Sequence, residues 1–450
     1  MLTALYVPML AQGTLYPPPS KSPQEMRPRT MPPATPARTA SPQTQTAPVS
    51  SPSKATTVVP ATPKPTPASN MATQAIPSAS DAVQSTTPSP AIVAPVVTVP
   101  SIVTAPTAQP LAHPLSVNKV RARLAEAQRA LKSRPLLTAM PASPSLYFVT
   151  LSVFDPDSSQ LHLLTLPKET FLTRGAETGL ISSLGTPMRL RVLRANGVNT
   201  AVTVSDNAGR ALVPLIVEYP IERGGVFREM AYYTSAHPAL LSPELVKAGQ
   251  TYVRTMLDAA AKRLRERGAV ITPNIIDVAE RLCVVEHTDH DRFRTEGRSA
   301  LFDEIYSLYA LNELDTYRYS VSFAGAGGMV QMISPTYQME RRRHPGVGLN
   351  PDFVAGMRNH GNALEAMLLY MQDTWNDMAF NPDITYALST NIATFPDLMA
   401  AGYNSNPARL GGYIRRGGAA WRTLIPRETQ TYLQIYHSVE SLVPLKPRSN

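Results

Sequence analysis

From Leu146 onward, apolar and β-branched residues recur at every second position in five stretches: Leu146–Phe154, Gln160–Leu166, Met188–Arg194, Asn199–Val204 and Ala211–Tyr219. Side chains of a strand alternate between its two faces, so this period predicts half-buried strands. Asp155-Pro156-Asp157-Ser158-Ser159 supplies a turn between the first two, and the Asn196-Gly197 pair falls where a tight hairpin needs positive φ. Residues 144–236 therefore read as a small antiparallel sheet or barrel. The segment offers no cluster of catalytic residue types, which suits a docking module, for instance one that meets a protein partner.

The period then lengthens. Ser242 is placed to cap a helix, Pro243 suits its first position, and Gly268 closes it after Arg263, Arg265 and Arg267. Leu245, Tyr252, Val253, Met256, Ala260 and Leu264 give this connecting helix, within residues 237–270, an apolar side. Beyond Thr272-Pro273-Asn274 the pattern stays helical almost to the end, broken by Pro335, Pro345, Pro351, Pro382, Pro396, Pro407 and Pro426. Residues 271–445 thus predict a domain of short helices. The chain as a whole reads as an α+β multidomain protein.

Composition changes the picture for the first third. From Leu15 to Ser143 the chain is almost wholly Pro, Ala, Ser, Thr, Val and Gln, and it carries much of the total of 44 prolines. Such a stretch buries too little apolar surface to offset chain entropy, so residues 1–143 are expected to be an apolar leader followed by a disordered spacer. Met1 to Gln12 has the apolar character of a secretory signal without its positive first segment. No apolar run is long enough for a membrane-spanning helix. The net charge of +9 is dispersed rather than gathered with aromatic residues, which reads against nucleic acid and suits an anionic envelope polymer. Cys283 is the only cysteine, so no internal disulfide forms, and its apolar neighbours predict a buried thiol.

Three segments carry candidate chemistry: Ser322-Phe323-Ala324-Gly325-Ala326-Gly327-Gly328-Met329-Val330-Gln331, then Ala401-Gly402-Tyr403-Asn404, then Glu428-Thr429-Gln430-Thr431-Tyr432. The first is not a phosphate loop, because no Lys-Ser or Lys-Thr follows its glycines. An acid able to protonate a leaving oxygen near neutral pH must be buried among apolar groups. At about 100° per residue, Ile275, Ala279, Leu282 and Glu286 share one face of a helix spanning Ile275–Glu286, so Glu286 ends an apolar stripe. Glu313 competes, ending the stripe Phe302, Tyr306 and Tyr309 in more polar surroundings beside Asn312 and Asp315. The run His287-Thr288-Asp289-His290-Asp291 has poor spacing for a metal and reads as a polar helix end.

In their order and spacing the three segments resemble the lytic transglycosylases of the goose-type lysozyme superfamily, whose motifs read S-x-x-G-A-x-G-L-M-Q, A-Y-N-x-G/N-P and E-T-x-x-Y. The resemblance covers roughly residues 270–440. It implies a lysozyme-like fold, peptidoglycan glycan strands as substrate, a periplasmic or cell-envelope location, and no metal or cofactor. It also implies that Ser322 and Gln331 contact the acid or the glycan, that Gly325 allows close approach of a sugar, and that Met329 lines the cleft. Tyr403 would reach the acid, Asn404 would accompany it, and Glu428 would open the last helix as a cap or ligand contact.

The two candidate acids divide the resemblance. Leu282-Cys283-Val284-Val285-Glu286-His287 is similar to the family's apolar run into Glu-Ser, with His in place of Ser. Glu313 has the family's usual spacing, nine residues before Ser322. Glu286 is the preferred acid; it requires an additional helix before the glycine motif. The implied reaction cleaves the bond between N-acetylmuramic acid and N-acetylglucosamine and leaves a 1,6-anhydro end. A hydrolytic lysozyme on the same fold would need a second carboxylate, for which Asp289, Asp291 and Asp315 are candidates. A non-catalytic glycan-binding scaffold is the alternative of another class.

Overall fold

The computed structural model describes residues 115–134, 138–140 and 143–449, all within one compact unit. The apolar leader and the spacer up to residue 114 lie outside the described residues.

The part of the expected spacer that is described departs from expectation. Val117–Lys132 forms helix α1, capped by Ser116, whose hydroxyl accepts from the Lys119 amide. Val120, Ala127 and Leu131 lie at helical spacing and are buried in a cluster with Phe154 and Leu215. The proline-rich average over the longer stretch had masked this short amphipathic run. Just beyond it, Arg134 reaches the buried Glu218 at 2.6 Å. A short ladder follows, with β1 (Thr138–Met140) against β2 (Ser143–Pro144).

The β region is antiparallel throughout. Its strands are β3 (Phe148–Phe154), β4 (Leu161–Pro167), β5 (Glu177–Ile181), β6 (Pro187–Arg194), β7 (Ala201–Asp206), β8 (Ala211–Arg223) and β9 (Val226–Tyr233). They run in the order β4-β3-β8-β7-β6-β5, with β9 beside β8. A one-turn helix α2 (Lys168–Phe171) follows β4. The Ser183 amide donates to the Leu163 carbonyl at 2.9 Å, bringing the β4 and β5 ends of the sheet together and nearly closing a barrel. Alternation holds as expected on β6, where Met188, Leu190 and Val192 face the core between Arg189 and Arg191.

The long β8 contains Pro214 and Pro220, which remove donors from its ladder. Near Pro214 the β3–β8 register slips, and the Ser152 hydroxyl there accepts from the Ile216 amide at 2.9 Å.

Within this sheet two strands were not foreseen. β5 contains Gly179 and buries no residue fully, and β9 carries Arg228 and Glu229 in mid-strand, so neither has a strong period. The Asn196-Gly197 pair does not make the expected tight hairpin. Only Gly197 has positive φ, at 52°, and a short 3-10 turn, Gly197–Asn199, spans the connection.

Helix α3 (Pro243–Glu266) starts as expected, with the Ser242 hydroxyl accepting from the Leu245 amide. Gly268 follows it at φ 84°. α3 packs onto the helical part of the chain. Val253, Leu257, Ala260 and Leu264 are fully buried against α4 (Pro273–Val285), α6 (Arg298–Asn312) and α9 (His360–Met378). A Cβ on Gly249 would lie 1.8 Å from the Tyr306 carbonyl oxygen, so only glycine lets α3 and α6 approach this closely. The remaining helices are α5 (His290–Thr295), α7 (Ser334–Arg343), α8 (Phe353–Arg358), α10 (Pro382–Ser389), α11 (Phe395–Asn404), α12 (Leu410–Gly417) and α13 (Arg427–Leu442).

The sheet and the helices share side chains. Asn312 both donates to and accepts from the Thr234 backbone, Arg194 pairs with Glu304, and Leu308 of α6 is buried in the cluster of the β region. Among the described residues no helix is long and apolar enough to cross a membrane.

Candidate active site

Glu286 caps the C-terminus of α4. The apolar stripe beneath it is as the sequence predicted: Ile275, Ala279 and Leu282 are fully buried, and Glu286 itself is only 7% exposed. Burial disfavours the charged carboxylate and pushes its pKa from 4.5 up to about 8, with the negative charge of Glu428 adding to the rise and a hydrogen bond from Tyr432 opposing it. The Tyr432 hydroxyl donates to Glu286 Oε1 at 2.5 Å. Glu286 is therefore a neutral acid near pH 7, held by a phenol that binds its anion better than its neutral form.

Glu313 lies at the surface. Its backbone turns to φ 46° at the end of α6, which carries the side chain off the buried stripe of Phe302, Tyr306 and Tyr309. Its side chain is 56% exposed and pairs with Arg121 at 3.2 Å. Between Glu286 and the glycine motif lie two helices, α5 and α6, where one additional helix was expected.

The glycine motif is a loop, closed by bridges between Val321 and Gly327 and between Gly327 and Met332. Two residues expected to face the acid or the glycan are bound within it. The Ser322 hydroxyl accepts from the Ala326 amide at 3.0 Å. Gln331 Nε2 donates to the Gly328 carbonyl at 2.7 Å and to Ser320 Oγ at 3.2 Å, which offsets the strain of the φ of 46° at Gln331. Met329, expected to line a cleft, is fully buried in the helical core. Gly325 is exposed at φ 77°, and a Cβ there would meet nothing. A Cβ on Gly328 would instead strike the Met357 carbonyl at 2.2 Å, so that glycine serves helix packing.

What joins the loop to the acid is its main chain. His287, adjacent to Glu286, lies 2.9 Å through Nε2 from the Met329 carbonyl, which assigns the proton to that nitrogen. Burial holds this imidazole neutral, with its pKa lowered to about 3, and its ring stacks flat on Tyr317 at 3.3 Å between centroids. The Tyr403 hydroxyl donates to the next carbonyl, that of Val330, at 2.7 Å. Tyr403 therefore reaches the vicinity of the acid, as the resemblance implied, but bonds the loop instead of the carboxyl. Its own ionisation is strongly suppressed, first by burial and then by the charge of Glu286.

Asn404, at the end of α11, accepts through Oδ1 from the Thr429 hydroxyl at 2.8 Å, fastening α11 to the first turn of α13. Glu428 lies in that same turn, near enough to Glu286 to raise its pKa. The other acidic candidates are engaged elsewhere. Asp289 caps α5, Asp291 pairs with Arg294 at 2.5 Å, and Asp315 pairs with Arg318 at 3.5 Å.

The structure thus brings together Glu286, Tyr403, Asn404 and Glu428, and leaves Glu313 apart. Two site residues had not been singled out from sequence. Tyr432 closes the E-T-x-x-Y segment and lies one turn after Glu428 on α13, a spacing that already placed both on one helix face. His287 follows the acid directly in the chain, and its ring holds the glycine loop through the Met329 carbonyl. Searches among protein-family models, curated proteins and solved structures return no match to this chain.

Proposed function

We propose that the chain is a peptidoglycan lytic transglycosylase built on a lysozyme-like helical domain and acting in the periplasm or cell envelope. The observation that carries the reading is Glu286: a buried carboxyl with a pKa of about 8, contacted by Tyr432 and followed in the chain by three segments in the order of that family's motifs. Protonated Glu286 donates to the glycosidic oxygen between N-acetylmuramic acid and N-acetylglucosamine, and the bond to the muramoyl C1 breaks. The resulting carboxylate then takes the proton of the muramoyl 6-hydroxyl as O6 bonds to C1, which closes the 1,6-anhydro ring and restores the acid. Tyr432 stabilises the anion that exists between these two steps. No metal or cofactor enters the scheme, and the net charge of +9 suits a glycan polymer that carries carboxylates.

Glu428 favours a second reading, a hydrolytic lysozyme, since a second carboxylate near the acid is what activation of water requires. Mass spectrometry of sacculi digested with the purified protein separates the readings. Anhydro ends support the transglycosylase, new reducing ends support the hydrolase, and absence of released fragments means a glycan-binding scaffold.

A further inference from the structure

Glu340 and His344 lie one turn apart on α7, and both face Asp373 of α9. One imidazole nitrogen and two carboxylate oxygens from these residues all come within 4.8 Å of one another. His344 Nε2 is 2.9 Å from Asp373 Oδ2 and 3.7 Å from Glu340 Oε2. Glu340 is 0% exposed, no donor group bonds either of its carboxylate oxygens, and the side chain within hydrogen-bond reach of it is another carboxyl, that of Asp373. A buried carboxylate without donors is strongly disfavoured, and the neighbouring Asp373 adds a second negative charge. The adjacent cation, Arg343, is committed to Asp373 at 3.2 Å and to Asp377 at 3.4 Å.

We propose that Glu340, His344 and Asp373 form a binding site for a divalent first-row transition ion, with zinc the best match. Zinc bonds to nitrogen and oxygen of about 2.0–2.2 Å in tetrahedral geometry place the donor atoms roughly 3.3 Å apart. The two separations around His344, 2.9 and 3.7 Å, bracket that value. Two carboxylates and a neutral imidazole around a doubly charged ion sum to zero, so the site is neutral where it is most buried. An imidazole ligand selects against calcium and magnesium, which prefer oxygen. His344 and Asp373 are partly exposed, leaving the fourth position open to solvent.

The ion would tie the end of α7 to α9. The same stretch of α9 carries Tyr370, whose phenol feels the charge of Glu340 and whose ring packs edge-on against Tyr403 at 5.8 Å. The site therefore stiffens the wall behind Tyr403 and takes no part in the glycan chemistry.

The test uses the purified full-length chain, stripped with a chelator and titrated with Zn²⁺ or Ca²⁺ by calorimetry, with thermal unfolding alongside. One equivalent of zinc is expected to bind at least tenfold more tightly than calcium and to raise the unfolding midpoint. His344→Gln, at a partly exposed position, should lose both effects without losing the fold. Glu340→Gln should lose the zinc response while itself raising the midpoint of the stripped protein, since it removes the bare buried carboxyl. Equal zinc binding by wild type and His344→Gln would mean that other histidines capture the metal, and would overturn the proposal. So would a wild-type midpoint indifferent to zinc. Glycan cleavage is not read, so either outcome is independent of the proposed function.

Discussion

Glu286→Gln should remove cleavage and at the same time stabilise the protein near neutral pH. The folded chain keeps a carboxyl with a pKa of about 8 against an ordinary value of 4.5. A raised carboxyl pKa has no effect on stability below the unfolded value, lowers stability as pH rises, and reaches its full effect above the folded value. At pH 7 the difference amounts to about 3 kcal/mol, at 1.36 kcal/mol per unit. Gln removes this penalty and keeps an oxygen for the Tyr432 hydroxyl, but its amide hydrogens need partners in a site built for a carboxyl, which returns about 1–2 kcal/mol. The net gain at pH 7 is therefore about 1–2 kcal/mol, a few degrees in Tm for a chain of this size. At pH 4 wild-type Glu286 is largely protonated in both states, the penalty is gone and only the cost of the amide remains, so the variant should there be less stable than wild type by about 1–2 kcal/mol. Unfolding of the two proteins at pH 4, 5.5 and 7, with glycan digestion on the same samples, reads both effects. A variant that is less stable than wild type by the same amount at every pH would show that Glu286 is not a forced neutral acid. Retained cleavage would remove it from the chemistry; Glu313→Gln, at an exposed ion pair, serves as the mild control.

Tyr432→Phe removes the hydrogen bond that lowers the pKa of Glu286, so the loss of activity at high pH should move upward from about 8 while turnover falls roughly tenfold or more; an unmoved limb in the pH–rate profile would detach the tyrosine from the acid. Gly328→Ala should lower stability by more than 2 kcal/mol, because its Cβ meets the Met357 carbonyl at 2.2 Å, whereas Gly325→Ala meets open space and should lose only about 1 kcal/mol for its positive φ; chemical denaturation measures both, and equal losses would contradict the packing role of Gly328. Removal of residues 1–143 strips α1 from Phe154 and Leu215 and leaves buried Glu218 without Arg134, so the midpoint should fall by several degrees; indifference to this cut would mean that α1 contributes little to the core.

The sequence was most legible where a local rule decides local structure. Ser242, Pro243 and Gly268 bounded α3 because caps act on their own helix, and the stripe from Ile275 to Glu286 announced a buried acid because both ends of the argument lie on one helix. The strands with a clean period, such as β6, were equally plain, while β5 and β9 were not, since edge and paired positions with Gly179 or Arg228 and Glu229 do not alternate strongly. Averages misled at α1, where one amphipathic stretch sat in a proline-rich third of the chain. The contacts of the site were the least legible. Nothing near Ser322 or Gln331 says that each bonds its own loop, and nothing near Tyr403 says that its hydroxyl meets the Val330 carbonyl instead of a carboxyl. Those pairings depend on how α4, α11, α13 and the loop are stacked, which is decided by packing over long separations.

The hydrogen bond between Tyr432 and Glu286 spans 146 positions of the chain. An unfolded or half-folded molecule carries Glu286 as an ordinary, ionised carboxylate at neutral pH, with no proton to give. The proton is taken up only when α13 closes over the end of α4 and water is excluded. On the proposed reading, catalytic competence waits on this long-range packing, and an enzyme that acts on a cell wall would be silent while it is being made or moved. A measurement of proton uptake during refolding would time the moment at which that silence ends.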